Sequence, residues 1–250
     1  MSGLYVFGIA PADALPDATV LGQGLAGQAV RGAEAAGLVA IIGEAPPAPV
    51  EPTRRNMLAH TALLERATAQ APILPMRFGT IAPDDATLAR CLTANQATFR
   101  TALAGIEGRV ELGVKASWKE GLVFREIVEQ DATLRTLRDR LKTRPRNETY
   151  NDRIELGRRV EAALAERRRE EAAAILQALS PLAEAEAGLK EIEDTMIVNR
   201  AFLVPRAREA AFDAAMERLA ETHGERMEFR YVGPVPPYNF IKLRTDWLSA

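Results

Sequence analysis

The chain has 250 residues, 47% of them hydrophobic and 26% charged, with a formal net charge of -2. That length allows one large domain or two small ones around a true core, and the near-neutral balance offers no basic field for nucleic acid or an anionic lipid membrane. A single cysteine, Cys91, excludes an intramolecular disulfide and a cysteine-based metal site. It fits a reducing compartment. The N-terminus has no basic region followed by a long apolar run, and no apolar stretch approaches the ~20 residues of a membrane helix, so a soluble, cytoplasmic protein is expected.

Leu4–Ile9 is apolar on both faces and predicts a central strand buried on both sides. Pro11 and Pro16 bracket a turn. Gly22, Gly24 and Gly27 match a G-x-G-x-x-G spacing, but the following segment, Gln28 to Gly37, lacks the apolar helical stripe of a dinucleotide-binding unit. A loop or hairpin leading into a second strand, Leu38–Ile42, is expected instead. Ala45–Pro52 is a proline-rich connector. A helix is predicted from about Thr53 to Ala69, with Met57, Leu63, Leu64 and Ala67 on its apolar side and His60 at the border of that side. Histidine titrates near neutrality, so a catalytic role is one reading of His60. No Cys, Ser or carboxylate is placed locally to partner it, and a packed or capping histidine is the expectation.

Pro72 and Pro75 frame a short extended run, with a turn or bulge at Gly79. Arg77 within it has the chemistry of an anion clamp; a salt bridge to a nearby Asp or Glu is the favoured expectation. Asp84 and Asp85 open a helix, where acidic residues suit the positive end of the dipole. Leu88, Leu92, Phe99 and Leu103 then recur at helical spacing, with Cys91 beside the stripe as a core residue. Gly105 and Gly108 mark a break, and the domain boundary is placed there, giving residues 1–106 and 107–250.

Arg109–Ala116 alternates, with Val110, Leu112, Val114 and Ala116 inward and Arg109, Glu111 and Lys115 toward solvent. A helix carrying Ile127, Leu134, Leu137 and Leu141 ends at Pro145. A second runs from about Thr149 to Leu179. Its middle, Glu166 to Glu171, is charged all round, which predicts a solvated helix with pairs such as Arg167–Glu171. Met196–Val204 is a strand, and Pro205 starts a helix that buries Phe212, Met216 and Leu219 and ends at Gly224. Along Arg226–Val232, Met227, Phe229 and Tyr231 face in. The expected fold is α+β with two domains, the C-terminal one a modified ferredoxin-like antiparallel sheet with a long helical hairpin.

The chain closes on Gly233-Pro234-Val235-Pro236-Pro237-Tyr238-Asn239-Phe240. Three prolines in four residues exclude a helix and the middle of a paired strand. A stiff extended lever is expected, freed to turn at Gly233, with Tyr238 and Phe240 on one side and Asn239 on the other. Such a lever places rings in the protein's own core or on a partner.

No reactive constellation is legible. His60 and His223 do not make a metal site, and there is no G-x-S-x-G, P-loop or C-x-x-C. Asp84–Asp85 and Glu170–Glu171 are adjacent on helices and diverge. The balance favours binding or assembly over catalysis, with no cofactor and no metal. The alternative is a small-molecule-binding or enzymatic ferredoxin-like module, which requires a polar-lined pocket containing Arg77 or His60.

Taken in order, Leu4–Ile9, Leu74–Thr80, Glu111–Lys115, Asn199–Val204 and the closing Gly233–Phe240 resemble the GvpF/GvpL family of gas vesicle proteins from end to end. The Gly-Pro-x-Pro-Pro-Tyr-x-Phe element is the most specific piece, with Val235 where many relatives carry Trp and Asn239 where many carry Ser. The resemblance implies a non-enzymatic accessory protein of gas vesicle assembly, cytoplasmic and associated with the vesicle. It also implies contact with the small hydrophobic wall protein and with other accessory proteins. Unpolymerised wall subunits expose apolar surface that aggregates unless covered. The partner-binding residues expected on this basis are Arg77, Phe78, Gly233, Pro234, Pro236, Pro237, Tyr238 and Phe240.

Overall fold

The computed structural model describes residues 3–14, 18–46, 50–145, 148–190, 193–241 and 248. Pro16 and the centre of the proline-rich connector, Pro47–Pro49, lie outside them. The chain forms an α+β fold in two compact units: Met1–Leu112 with Leu203–Arg206 and Gly233–Ala250, and Gly113–Phe202 with Ala207–Val232.

The first unit is built on β1 (Leu4–Pro11), which pairs antiparallel with β3 (Leu38–Glu44) on one side and with β4 (Leu74–Pro75) and β5 (Ile81–Ala82) on the other. β2 (Val30–Ala35) completes the sheet as the hairpin partner of β3. The glycine-rich stretch therefore leads into a hairpin, as expected, turning at Ala36-Gly37. The sheet is antiparallel yet buried on both faces, because helices cover both. Against one face, Leu63, Leu64 and Ala67 of α2 (Arg54–Thr68) pack with Tyr5, Phe7 and Ile41. Against the other, Leu88 and Leu92 of α3 (Asp85–Ala94) and Phe99 and Leu103 of α4 (Gln96–Ile106) pack with Val6, Ile9 and Ile42.

A β-bulge between Val6 and Gly8 reverses the alternation midway along β1, so Phe7 and Ile9 enter different clusters. A Cβ on Gly8 would stand 2.7 Å from Ile73 Cγ2 and 3.0 Å from the Leu74 carbonyl, so only glycine fits there.

The spacing of Leu88 through Leu103 reads as continuous, but Asn95 interrupts it; its side-chain amide donates to the Cys91 carbonyl at 2.9 Å. Met57, expected on the buried side of α2, is 42% exposed. Its place at the helix start carries it past the edge of the covered face.

A second sheet has the order β7-β8-β6-β9, from β6 (Arg109–Trp118), β7 (Ala185–Gly188), β8 (Met196–Pro205) and β9 (Met227–Val235). The short edge strand β7 has too little hydrophobic alternation to be read from sequence. The expected single helix before Pro145 is two, α5 (Leu122–Gln130) and α6 (Ala132–Thr143). Asp131 divides them and accepts the backbone N–H groups of Thr133 and Leu134 at 2.7 and 3.2 Å, an N-cap. Pro205 ends β8 rather than starting a helix; α8 (Glu209–His223) begins after a short 3-10 turn. Within α8, Phe212 packs between Phe202 and Tyr231, with ring centroids 5.3 and 5.9 Å away.

The long helix α7 (Tyr150–Leu179) buries Ile175 and Leu179. Its charged middle is not wholly solvated. Glu171 accepts the Trp118 indole N–H and sits 3.0 Å from Arg226, which chelates Glu126 at 2.8 and 2.6 Å. The expected Arg167–Glu171 pair is present at 3.9 Å, and Arg167 also reaches Glu126 at 3.6 Å. The Arg226 hydrogen bonds hold the Glu126 carboxyl below the usual carboxylate range.

Candidate functional site

The closing segment is neither a free lever nor wholly extended. β9 is an edge strand and carries Pro234 within it, where a missing N–H costs no ladder bond. Gly233 has φ 140°, and a Cβ there would stand 2.8 Å from Leu112 Cδ2 and 2.9 Å from the Glu111 carbonyl. No other residue suits that backbone. Pro236 and Pro237 are buried, and the chain then turns: Tyr238 N donates to the Pro236 carbonyl at 2.7 Å and Phe240 N to that of Pro237 at 3.2 Å. The turn replaces the expected alternation of Tyr238 and Phe240 against Asn239.

Glu111 fixes this turn. Expected on the solvent face of β6, it is only 4% exposed, because the returning segment covers it. Its Oε2 accepts the Asn239 backbone N–H at 2.9 Å and its Oε1 the Asn239 side-chain amide at 2.5 Å. Burial raises the Glu111 pKa, and the two Asn239 donors partly offset that. A buried carboxylate satisfied by two neutral donors on one residue acts as a latch. It holds Pro236 to Phe240 in a single geometry. Alternation alone could not find Glu111; its partner lies 128 residues away.

Tyr238 leaves 38% of its surface open. Its hydroxyl end is nonetheless desolvated, which raises its pKa, with Glu65, Tyr5 and Glu111 adding in the same direction. Phe240 is half-buried and Pro234 exposed.

Tyr5, which Tyr238 senses electrostatically, supports the turn that carries Arg77 and Phe78. That turn is wired from beneath. Gly79 N donates to the Tyr5 hydroxyl at 3.0 Å, and Tyr5 lies 3.0 Å from His60 Nδ1. His60 Nε2 lies 3.2 Å from the Met76 carbonyl, which can only accept. Nε2 therefore carries the proton, Nδ1 accepts from Tyr5, and the chain of bonds is complete with a neutral imidazole. Burial lowers the His60 pKa to about 4 and raises that of Tyr5 to about 12. His60 is the packed histidine expected, with the added task of shaping residues 76–79. Phe78 is half-buried against the same cluster, at 6.0 Å from Tyr5 and 5.7 Å from His60 between ring centroids. Arg77 is exposed and forms no ion pair among the described residues, contrary to the expected salt bridge.

Of three concavities of about 650, 450 and 110 Å³, the smallest is lined in part by Pro237, and none has Arg77 or His60 in its lining. Among the described residues no group of three or more His, Cys, Asp or Glu is placed to hold a metal ion, and no helix is long and apolar enough to cross a membrane. The hydrogen bonds of His60 run to the Tyr5 hydroxyl and the Met76 carbonyl.

Residues 3–242 match the family described as gas vesicle synthesis protein GvpL/GvpF. Gas vesicle protein F of Streptomyces sp. (strain CB03234) is 33% identical over 241 residues, covering 95% of this chain and 99% of that one. Gas vesicle protein F of Nostoc sp. (strain PCC 7120) is 28% identical, covering 97% and 99%. The crystal structure of the gas vesicle protein GvpF from Anabaena sp. PCC7120 superposes with a TM-score of 0.85 at 27% identity, over 98% of this chain and 100% of that one. That of GvpF from Microcystis aeruginosa gives 0.81 at 25% identity, over 97% and 100%.

Proposed function

The chain belongs to the gas vesicle synthesis protein GvpL/GvpF family, and from that premise we propose that it is a non-enzymatic assembly factor whose latched closing segment binds the small hydrophobic wall protein. It works in the cytoplasm at the growing vesicle and contacts other accessory proteins there. The contact surface comprises Tyr238, Phe240 and Pro234 with Arg77 and Phe78, while Gly233, Pro236 and Pro237 shape it from within. The observation that carries this reading is the Glu111–Asn239 latch, which holds a partly exposed aromatic ring in one position. A ring already fixed loses little entropy on binding, and rigid aromatics supply the anchor residues of protein interfaces. Covering apolar wall-protein surface before polymerisation prevents its aggregation.

The second sheet and its helices support a modified ferredoxin-like reading of the fold. Their chain order is strand, helices, two strands, helix, strand, and the spatial order of the sheet is β7-β8-β6-β9. This scaffold hosts both enzymes and interaction modules, so the assignment rests on the surface and not on the fold.

Deleting the gene from a strain without a redundant paralogue is expected to abolish vesicles, and the tagged protein is expected to co-purify with the wall protein. Normal vesicles in the deletion strain would remove the proposal.

A further inference from the structure

In the first unit, a cavity of about 110 Å³ lies where the end of α2, the start of β6 and the end of β8 come together. Ile73, Ile106 and Pro237 give it apolar walls, and Thr68, Arg109 and Arg206 give it polar ones; no acidic side chain lines it. Thr68 is 7% exposed, and its Oγ1 is buried with no hydrogen-bond partner. A buried hydroxyl left unpaired is costly and calls for an explanation.

Arg206 is held in place from two directions. Its backbone N–H donates to the Gly108 carbonyl at 2.9 Å, and its Nη2 donates to the Thr68 carbonyl at 2.7 Å. That second bond answers the negative end of α2. It uses one of the five donors of a guanidinium, so Arg206 retains donors for a ligand. A positioned cation, exposed to solvent at the rim, an unpaired buried hydroxyl and a lining without a carboxylate together suit a small anion rich in acceptors.

We infer that this cavity binds a small inorganic oxyanion of phosphate size. Its volume equals the share of about three or four water molecules, which admits such an ion. Pro237 belongs to the segment that Glu111 latches, so an ion here braces that segment from its inner side.

The test is calorimetric titration of the full chain with sodium phosphate, with chloride exchanged to keep ionic strength constant, alongside melting temperature. Wild-type protein is expected to bind saturably and to melt higher as phosphate rises. R206Q is expected to weaken binding at least about tenfold, since it removes a charged donor. T68V, which keeps the side-chain shape, is expected to weaken it severalfold, and R135Q on exposed α6 to leave it unchanged. The absence of a saturable signal in wild type would overturn the inference, and so would wild-type affinity in both folded R206Q and folded T68V.

Discussion

In the first unit, His60 and Glu111 are each buried and bonded by neutral groups; in the second, Glu126, Glu171, Arg167 and Arg226 gather around α7 as opposite charges. The residue types overlap, yet their titration runs in opposite senses. Burial penalises the charged forms of His60 and Glu111, whereas Arg226 favours the charged form of Glu126. The lone groups fix backbone turns at the proposed contact surface, one beneath Arg77 and Phe78 and one at Asn239. The charge cluster fastens α5 and α7 to the strand ends near Trp118 and Arg226 and serves structure.

The largest effect expected is the acid response of His60. Its folded pKa of about 4 lies below the ordinary 6.5, so the unfolded chain binds the extra proton between those values. Stability is fully present above 6.5 and is lost as pH falls toward 4, by up to about 3 kcal/mol. Denaturant unfolding at stepped pH checks this, and His60→Phe should flatten the slope in that window. Glu111 works against the trend. Its folded pKa is raised, so its contribution improves as pH falls through that value toward the unfolded one and declines as pH rises above the unfolded one.

A smaller effect sharpens the contrast. Arg226→Ala leaves Glu126 and Glu171, with side chains 26% and 13% exposed, short of their main cation. A loss of about 2 kcal/mol is expected, discounted for solvent screening and for the remaining Arg167. The urea midpoint should fall, while vesicle formation and wall-protein binding should hold if the cluster is purely structural.

Much of this architecture was legible in the residues. The two-sided apolar run at Leu4–Ile9, the acidic Asp84-Asp85 at the start of α3 and the stripe of Phe212, Met216 and Leu219 announce their elements locally. What stayed hidden depends on distant partners. Glu111 reads as a solvent-facing residue because nothing within β6 reveals that Asn239 will cover it. The breaks at Asn95 and Asp131 sit inside unbroken apolar spacing, and a side-chain bond to the local backbone marks each: Asn95 closes α3, and Asp131 caps the start of α6. The closing prolines signal stiffness, but whether they project or fold back is decided by the glutamate that receives them.

On the proposed function, a latched, partly open Tyr238 anchors the wall protein. The most direct test is the affinity of purified wall protein for wild type, Tyr238→Ala and Glu111→Ala, each with its unfolding midpoint measured. The account predicts at least about tenfold weaker binding for Tyr238→Ala with little change in stability, since its ring is partly open. Glu111→Ala should bind more weakly too, through a loosened turn. Unchanged affinity in both folded variants would contradict it.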